Sequence, residues 1–474
     1  MKNSQLYSII SQLGTIEHRL LGQFVRSPYH NRRPELVVFC DLLIKSANSK
    51  DKIAESKEYY FKKLYPGKAY DDKKMRYTIS FLYKLVKYFL AVEQLKTDTL
   101  RQQQIIALEF KEKKLERFEK EVLRSEQILE SQPLRDAQYY FNRFQNLSGY
   151  SSNSVHLSKV GATLRKMNNS ADVYFIATTL KMGCMWLTFG TVTRTDNSNK
   201  LLNQIILFIK DNQSFLEIPV IDIYYNAYQM LSQINQDQFF DNFKLSIEES
   251  GHLFKQTELS ELYVLAINHC IRQANQNKEK YRKELFEIYK KGLSAEAFFD
   301  NGELGGKTYI NIVQAGLNQQ AYDWVAKFIE EYKTFLKLPI REQFYLFNLA
   351  NYHNKSKNYD KVMEILRSVT FDETMMEMSA RRMLLKIYYD MGEVEALYSL
   401  FDSFKNYIYR HKEIGYAKDN YLNLIKYAKK LLNTNPRDRK AIAKLKKEIT
   451  QTQAIAEKAW LLERVKGLGQ RYSN

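Results

Sequence analysis

Glycine and proline are scarce, with 17 and 7 residues in a chain of 474, well under the roughly 7% and 5% of ordinary proteins. Sandwiches, barrels and linker-rich chains need turn residues every few positions, so the deficit argues against all three. Long apolar runs are missing too. The stretch Leu201 to Ile209 is interrupted by polar residues and falls short of the roughly 20 apolar residues that cross a bilayer. The opening residues MKNSQLYSIISQLGTIEHRL hold no apolar signal-peptide core. Cysteine is limited to Cys40, Cys184 and Cys270, without CxxC spacing, which supports neither a disulfide framework nor a zinc site. Buried free thiols and a cytoplasmic location are the expectation.

What remains is an apolar fraction of 45%, ordinary for a folded protein, and a net charge of +18. The charge is uneven: residues 1–150 carry +9, residues 151–400 carry −1 and residues 401–474 carry +10. Basic ends attract nucleic acid, acidic partners or anionic surfaces, although lysine also simply solvates helix faces. The prolines at 28, 34, 66, 133, 219, 339 and 436 punctuate the chain, since a residue without an N–H ends or begins helices. Between them, Leu36, Val37, Phe39, Leu42 and Leu43 have helical spacing. Asp71-Asp72 is a good N-cap pair for an amphipathic helix on Met75, Ile79, Leu82, Leu85, Val86, Phe89 and Leu90, running to about residue 96. Residues 100–130 predict one long helix with Glu109–Lys113 and Glu116–Lys120 pairs at i, i+4, closed by Pro133. The Ser-, Asn- and Gly-rich segment 146–170 is the candidate domain boundary.

Beyond that boundary five segments can be superposed, starting at Phe240, Tyr281, Tyr322, Tyr359 and Val394, at intervals of 41, 41, 37 and 35 residues. Each follows a polar turn and opens a helix, and each is preceded by another helical stretch. A single helix–turn–helix unit has no full core, but stacked units bury each other's faces. In the clearest unit Leu346, Leu349, Ala350, Tyr359, Val362 and Leu366 fall at apolar, small or aromatic positions, and in the next Gly392 sits in the turn and Leu397 follows. These two units resemble tetratricopeptide repeats, which are helix–turn–helix units of about 34 residues. The first-helix Trp and early Gly of that family are absent. The resemblance implies a right-handed superhelix with a concave face that binds a ligand; no clamping residue carries over, because loop drift shifts the register.

The expected architecture is therefore all-α: a basic helical domain at 1–150, a tetratricopeptide-like α-solenoid of five or six units at 165–433, and a basic capping helix with its tail at 434–474. In that last segment Asn435-Pro436 reads as N-cap and first turn. Ile442, Leu445, Ile449, Thr452, Ala456 and Ala459 then form an apolar stripe to about residue 460, opposite Lys440, Lys444, Lys447 and Lys458.

Chemical motifs are few. Gly302-Glu303-Leu304-Gly305-Gly306-Lys307-Thr308 suggests a phosphate loop, but the required Gly is Asn301 and no parallel sheet surrounds it. A turn without nucleotide affinity is expected instead. The histidines at 18, 30, 156, 252, 269, 353 and 411 include no i, i+4 pair, and adjacent His269 and Cys270 point about 100° apart on a helix. No catalytic, cofactor-binding or metal-ligating residue is assigned, and no enzymatic activity is expected. Aromatics beside lysines, in Tyr59-Tyr60-Phe61-Lys62-Lys63 and in Lys405 to Arg410, could stack on single-stranded bases or fill helix seams. The expected function is a non-catalytic scaffold binding a protein or peptide partner in a helical-repeat groove. Nucleic-acid binding by the basic ends is the alternative, and no membrane span is expected.

Overall fold

A computed structural model describes residues 1, 4–49, 56–114, 117–150, 157–193, 200–276, 278–415 and 417–470. It is 81% helical and 1% strand. The chain divides into two compact units, Met1–Gly183 with Ser198–Ile221 and Cys184–Asn197 with Asp222–Asn474.

The first unit contains α1 (Gln5–Gln12), α2 (Thr15–Arg26), α3 (Pro34–Ala47), α4 (Lys57–Leu64), α5 (Asp72–Thr97), α6 (Thr99–Glu112), α7 (Phe118–Ser131), α8 (Ala137–Tyr150), α9 (Leu157–Thr193) and α10 (Lys200–Asp211). The division between units falls within α9 and within α11 (Pro219–Ser232). The second unit continues with α12 (Asp237–Ser250), α13 (Gln256–Ala274), α14 (Lys280–Ser294), strands β1 (Phe299–Asp300) and β2 (Glu303–Leu304), α15 (Gly306–Asn318), α16 (Tyr322–Tyr332), α17 (Leu338–Lys355), α18 (Tyr359–Ser368), α19 (Thr374–Met391), α20 (Val394–Arg410), α21 (Ala417–Leu432), α22 (Arg439–Gln451) and α23 (Lys458–Gln470). No helix among the described residues is long and apolar enough to cross a membrane.

The first unit is built around α5. Asp71 caps it, its side chain accepting from the Lys74 N–H at 2.9 Å, and its apolar face packs on α1, α2 and α3. Met75, Leu82, Leu85, Val86 and Phe89 are buried there with Leu21, Phe39, Cys40 and Leu43, whereas Ile79 and Leu90 are only half-buried. The long helix expected over 100–130 is two helices. The chain turns between Glu112 and Phe118, with Lys114 and Arg117 at φ 52° and 70°, so that α7 folds back on α6. Left-handed backbone costs such residues roughly 1–2 kcal/mol. Burial of Leu100, Ala107, Phe118, Val122 and Leu129 outweighs it, because a straight helix would leave both faces wet. Lys113 does pair with Glu109, at 2.9 Å; Glu116 lies outside the described residues, as do His156 and part of the expected boundary.

In the second unit four of the five superposed segments begin their helices at or one residue after the helix start, at α14, α16, α18 and α20. Phe240 lies one turn inside α12, whose start is moved forward by Asp237, a carboxylate suited to the positive end of the helix. Within the last four pairs the helices pack together, α13 on α14, α15 on α16, α17 on α18 and α19 on α20. The first helices of successive pairs also touch, α15 on α17 and α17 on α19. Three of the turns share one device. Gln320, Lys357 and Gly392 all have positive φ, and the next residue's N–H returns to a carbonyl five residues earlier: Ala321 to Gly316, Asn358 to His353 and Glu393 to Tyr388. That is the bond pattern of a Schellman stop, which satisfies the last helical carbonyls.

Two local expectations are corrected. The Gly302 segment is not a plain turn throughout: Asn301 and Gly302, at φ 51° and 79°, close a two-residue hairpin pairing Phe299 with Leu304. Asn-Gly is the preferred sequence for such a hairpin, because both central residues need φ above zero. Gly306 to Thr308 then open α15. At the other end the single helix expected from Pro436 is a helical hairpin, α22 and α23. Asp438, not Asn435, caps α22 by accepting from the Ala441 N–H at 2.9 Å. Asn435 instead bonds the Arg437 N–H at 3.0 Å, a local turn that competes with helix.

The hairpin stays because its linker is tied down. The Lys458 ammonium donates to the Thr450 and Thr452 carbonyls at 2.7 and 2.8 Å. Glu457 receives Arg382 and Lys386 from α19 at 3.4 and 2.8 Å, and Arg464 forks onto both oxygens of Asp390 at 2.7 Å. Leu445, Ile449, Ile455, Trp460, Leu461 and Val465 thereby join the core of α19, α20 and α21.

Candidate binding grooves

In the second unit a concavity of about 700 Å³ opens between α12, α13 and α14. Its floor is apolar: Ile247, Phe254, Leu259 and Tyr263 are all buried. A smaller neighbouring cavity continues it past Ala266 and Ile288. The rim carries charge of both signs, set by the facing second helices of two successive pairs. Lys291 pairs with Glu248 and Lys290 lies 2.8 Å from Glu287 along the larger cavity, while Lys244, at the smaller one, lies 2.7 Å from Glu284 and 3.0 Å from Asp241. Burial opposes the Lys244 charge, but Glu284 and Asp241 hold its pKa above the usual lysine range. Gln256 closes one end by donating to the Ala295 carbonyl at 3.3 Å. Exposed ion pairs contribute at most about 1 kcal/mol each, so the rim sets register between helices more than it stabilises them.

Two further concavities are basic. Between α21 and α22 a space of about 460 Å³ is walled by Lys426, Lys429, Lys430 and Lys444. Of these only Lys430 has a carboxylate partner among the described residues, Glu448 at 2.6 Å, which in turn keeps the Glu448 carboxyl below its usual pKa. In the first unit a space of about 370 Å³ lies between the loop after α2 and the outer face of α5, lined by His30, Arg32, Arg33, Phe81, Lys84 and Tyr88 among others.

The motifs singled out in the sequence scatter. Lys307 is exposed and 3.4 Å from Glu373. Tyr60 and Phe61 are buried, so only Tyr59 of that aromatic run faces outward. In the other run Tyr409 is exposed and Tyr407 half-buried. Lys440, Lys444 and Lys447 stay on the exposed side of α22, but Lys458 is consumed by the helix end it caps. His269 and Cys270 are both buried. The imidazole stacks on Phe240 at 5.0 Å and meets the Tyr281 ring edge at 5.5 Å.

That environment gives His269 a testable pH signature. Burial, aided by Arg272, lowers its pKa from 6.5 to about 4. The folded chain therefore keeps it neutral at pH values where the unfolded chain already protonates it. Stability tied to His269 is full above pH 6.5 and is lost as pH falls from 6.5 towards 4, by on the order of 3 kcal/mol. Urea unfolding at pH 7 and pH 4.5 should show the wild-type chain losing more stability than His269→Phe. Parallel losses in both proteins would refute the assignment.

Comparison with protein-family models, with curated proteins and with solved structures yields no match.

Proposed function

We propose that the chain is a non-catalytic scaffold, a tetratricopeptide-like α-solenoid in its second unit, that holds a peptide segment of a partner protein in the groove between α12, α13 and α14. The carrying observation is the composition of that groove, an apolar floor at Leu259 and Tyr263 beneath a rim of alternating sign. An apolar floor rewards burial of a side chain such as Leu or Phe, worth roughly 1.5–3 kcal/mol. A rim of both signs selects a ligand of mixed charge and disfavours a polyanion. The repeated turns at Gln320, Lys357 and Gly392 and the contacts of successive first helices support the solenoid reading.

A photo-crosslinking side chain placed at exposed Ser294, on the groove edge, should capture one discrete polypeptide in the native cell. Reversing Lys290 and Lys291 to Glu should lower that capture roughly tenfold, equivalent to about 1.4 kcal/mol, while the far-UV circular dichroism at the assay temperature stays that of the parent. Capture insensitive to the reversal, or capture of nucleic acid at this position, would sink the proposal.

A further inference from the structure

The first unit presents a surface of different chemistry from the groove. On the outer face of α5, Tyr77, Phe81 and Tyr88 are 56%, 36% and 50% exposed. They lie on one side of the helix, at spacings of four and seven residues, with Lys84 between them. Half-exposed aromatic rings in register are not explained by the core beneath, which is filled by Leu82, Leu85 and Phe89. Tyr77 and Phe81 stand one turn apart, about 6 Å along the axis.

The loop after α2 adds cations to this face, and it is held rigidly. Asn31 donates its amide to the Val25 and Arg33 carbonyls at 2.9 and 3.0 Å and accepts from the Arg33 N–H at 2.9 Å. Arg33 in turn sits over Phe81, its guanidinium carbon 3.7 Å from the ring centre. His30 stacks on Phe24 at 4.0 Å and abuts Tyr88 at 5.5 Å, which fixes the Tyr88 ring as one wall of the 370 Å³ space. Arg32, Arg33 and Lys84 around that space have no carboxylate within ion-pair distance among the described residues. Asp41 and Asp72 of the same unit are taken by Arg26 at 2.6 Å and Arg76 at 2.9 Å.

From this arrangement we infer that the face formed by the Asn31 loop and α5 is a binding site for single-stranded nucleic acid. Planar platforms for successive bases are supplied by Tyr77, by the outer side of the Arg33–Phe81 pair and by Tyr88. Arg32 and Lys84 meet the phosphates between them. Base stacking on aromatic rings and guanidinium planes is sequence-tolerant and contributes on the order of 1–3 kcal/mol per base. An acidic peptide would satisfy the cations but would leave the three platforms unused, which is why a nucleic acid fits better.

The test uses the full chain and a fluorescein-labelled uridine 20-mer, followed by anisotropy across a salt series. Binding at low salt should weaken linearly in log–log form as salt rises. Tyr88→Ala should weaken it roughly tenfold or more and Tyr88→Phe should not, since the phenyl ring still stacks. Lys84→Ala should reduce the salt slope by about one. Melting temperatures of all variants, each altered at an exposed position, should match the parent. Failure of the 20-mer to bind at low salt would overturn the inference. So would equal affinity for duplex DNA or polyglutamate, or equal affinity of Tyr88→Ala and parent, since each reduces the face to a bare cationic patch.

Discussion

Deletion of residues 436–474 is expected to leave a chain that aggregates or unfolds at once, the largest effect of any change considered. The segment removes six buried apolar side chains from the core shared with α19, α20 and α21, among them Trp460, Leu461 and Val465. Each is worth about 1.5–3 kcal/mol when buried, so together they rival the whole stability of a typical domain, about 5–15 kcal/mol. The deletion also strips the partners from Arg382, Lys386 and Asp390, and it uncovers Tyr421, Leu424 and Ala428 of α21. A milder version is Trp460→Ala, for which loss of the buried indole should cost about 3–5 kcal/mol in urea unfolding. The rival expectation treats the segment as a detachable basic arm. A truncated chain that stays soluble with an unchanged melting temperature would favour the arm and defeat the covering role.

Gly316→Val is expected to destabilise the second unit by about 2–3 kcal/mol, at the upper end of overpacking effects. A Cβ on Gly316 would sit 2.5 Å from a Val325 methyl and 3.1 Å from the Phe286 ring. Both neighbours are buried, Val325 completely, so neither can retreat without opening the contact of α15 with α14 and α16. The smaller change Gly316→Ala sets two effects against each other. Helix propensity favours Ala by about 0.5–1 kcal/mol, while the overlap costs more. The net sign should therefore be destabilising. Gly161→Ala provides the contrast, because a Cβ there meets nothing within 4 Å inside helix α9, and propensity alone should stabilise it slightly. Chemical denaturation of the three variants decides the matter: a Gly316→Ala protein as stable as its parent would show that Val325 yields.

How far such packing could be read in advance depends on whether a signal is local. The helix starts at Tyr281, Tyr322, Tyr359 and Val394 were legible because a polar turn, a helix-opening residue and an apolar period coincide at each. Asp71 was legible as a cap for the same reason. The reversal marked by Lys114 and Arg117 was not, since both are poor left-handed residues and only the burial gained by folding α7 onto α6 forces them there. Likewise Leu346 and Leu349 read as apolar positions of a repeat unit, and the structure half-buries both while Phe344, Phe347 and Asn348 lie deeper. Helical spacing alone cannot choose between faces that are both rich in apolar residues. The groove floor and the aromatic face of α5 were missed as sites. Each joins residues far apart in sequence, as Arg33 and Phe81 are, although exposed tyrosines alternating with lysines on the outer side of α5 were open to inspection.

The fork of Arg464 on Asp390 spans 74 residues of chain, and it has a bearing on how the protein is made. At a synthesis rate of roughly 5–20 residues per second, Asp390 waits on the order of 4 to 15 seconds for its partner. During that interval Tyr389 and the apolar seam that Trp460 will cover stand open beside the ribosome. A nascent chain stalled between the two positions is thus the species that a holdase chaperone would recognise, and slow codons in that window would lengthen its exposure.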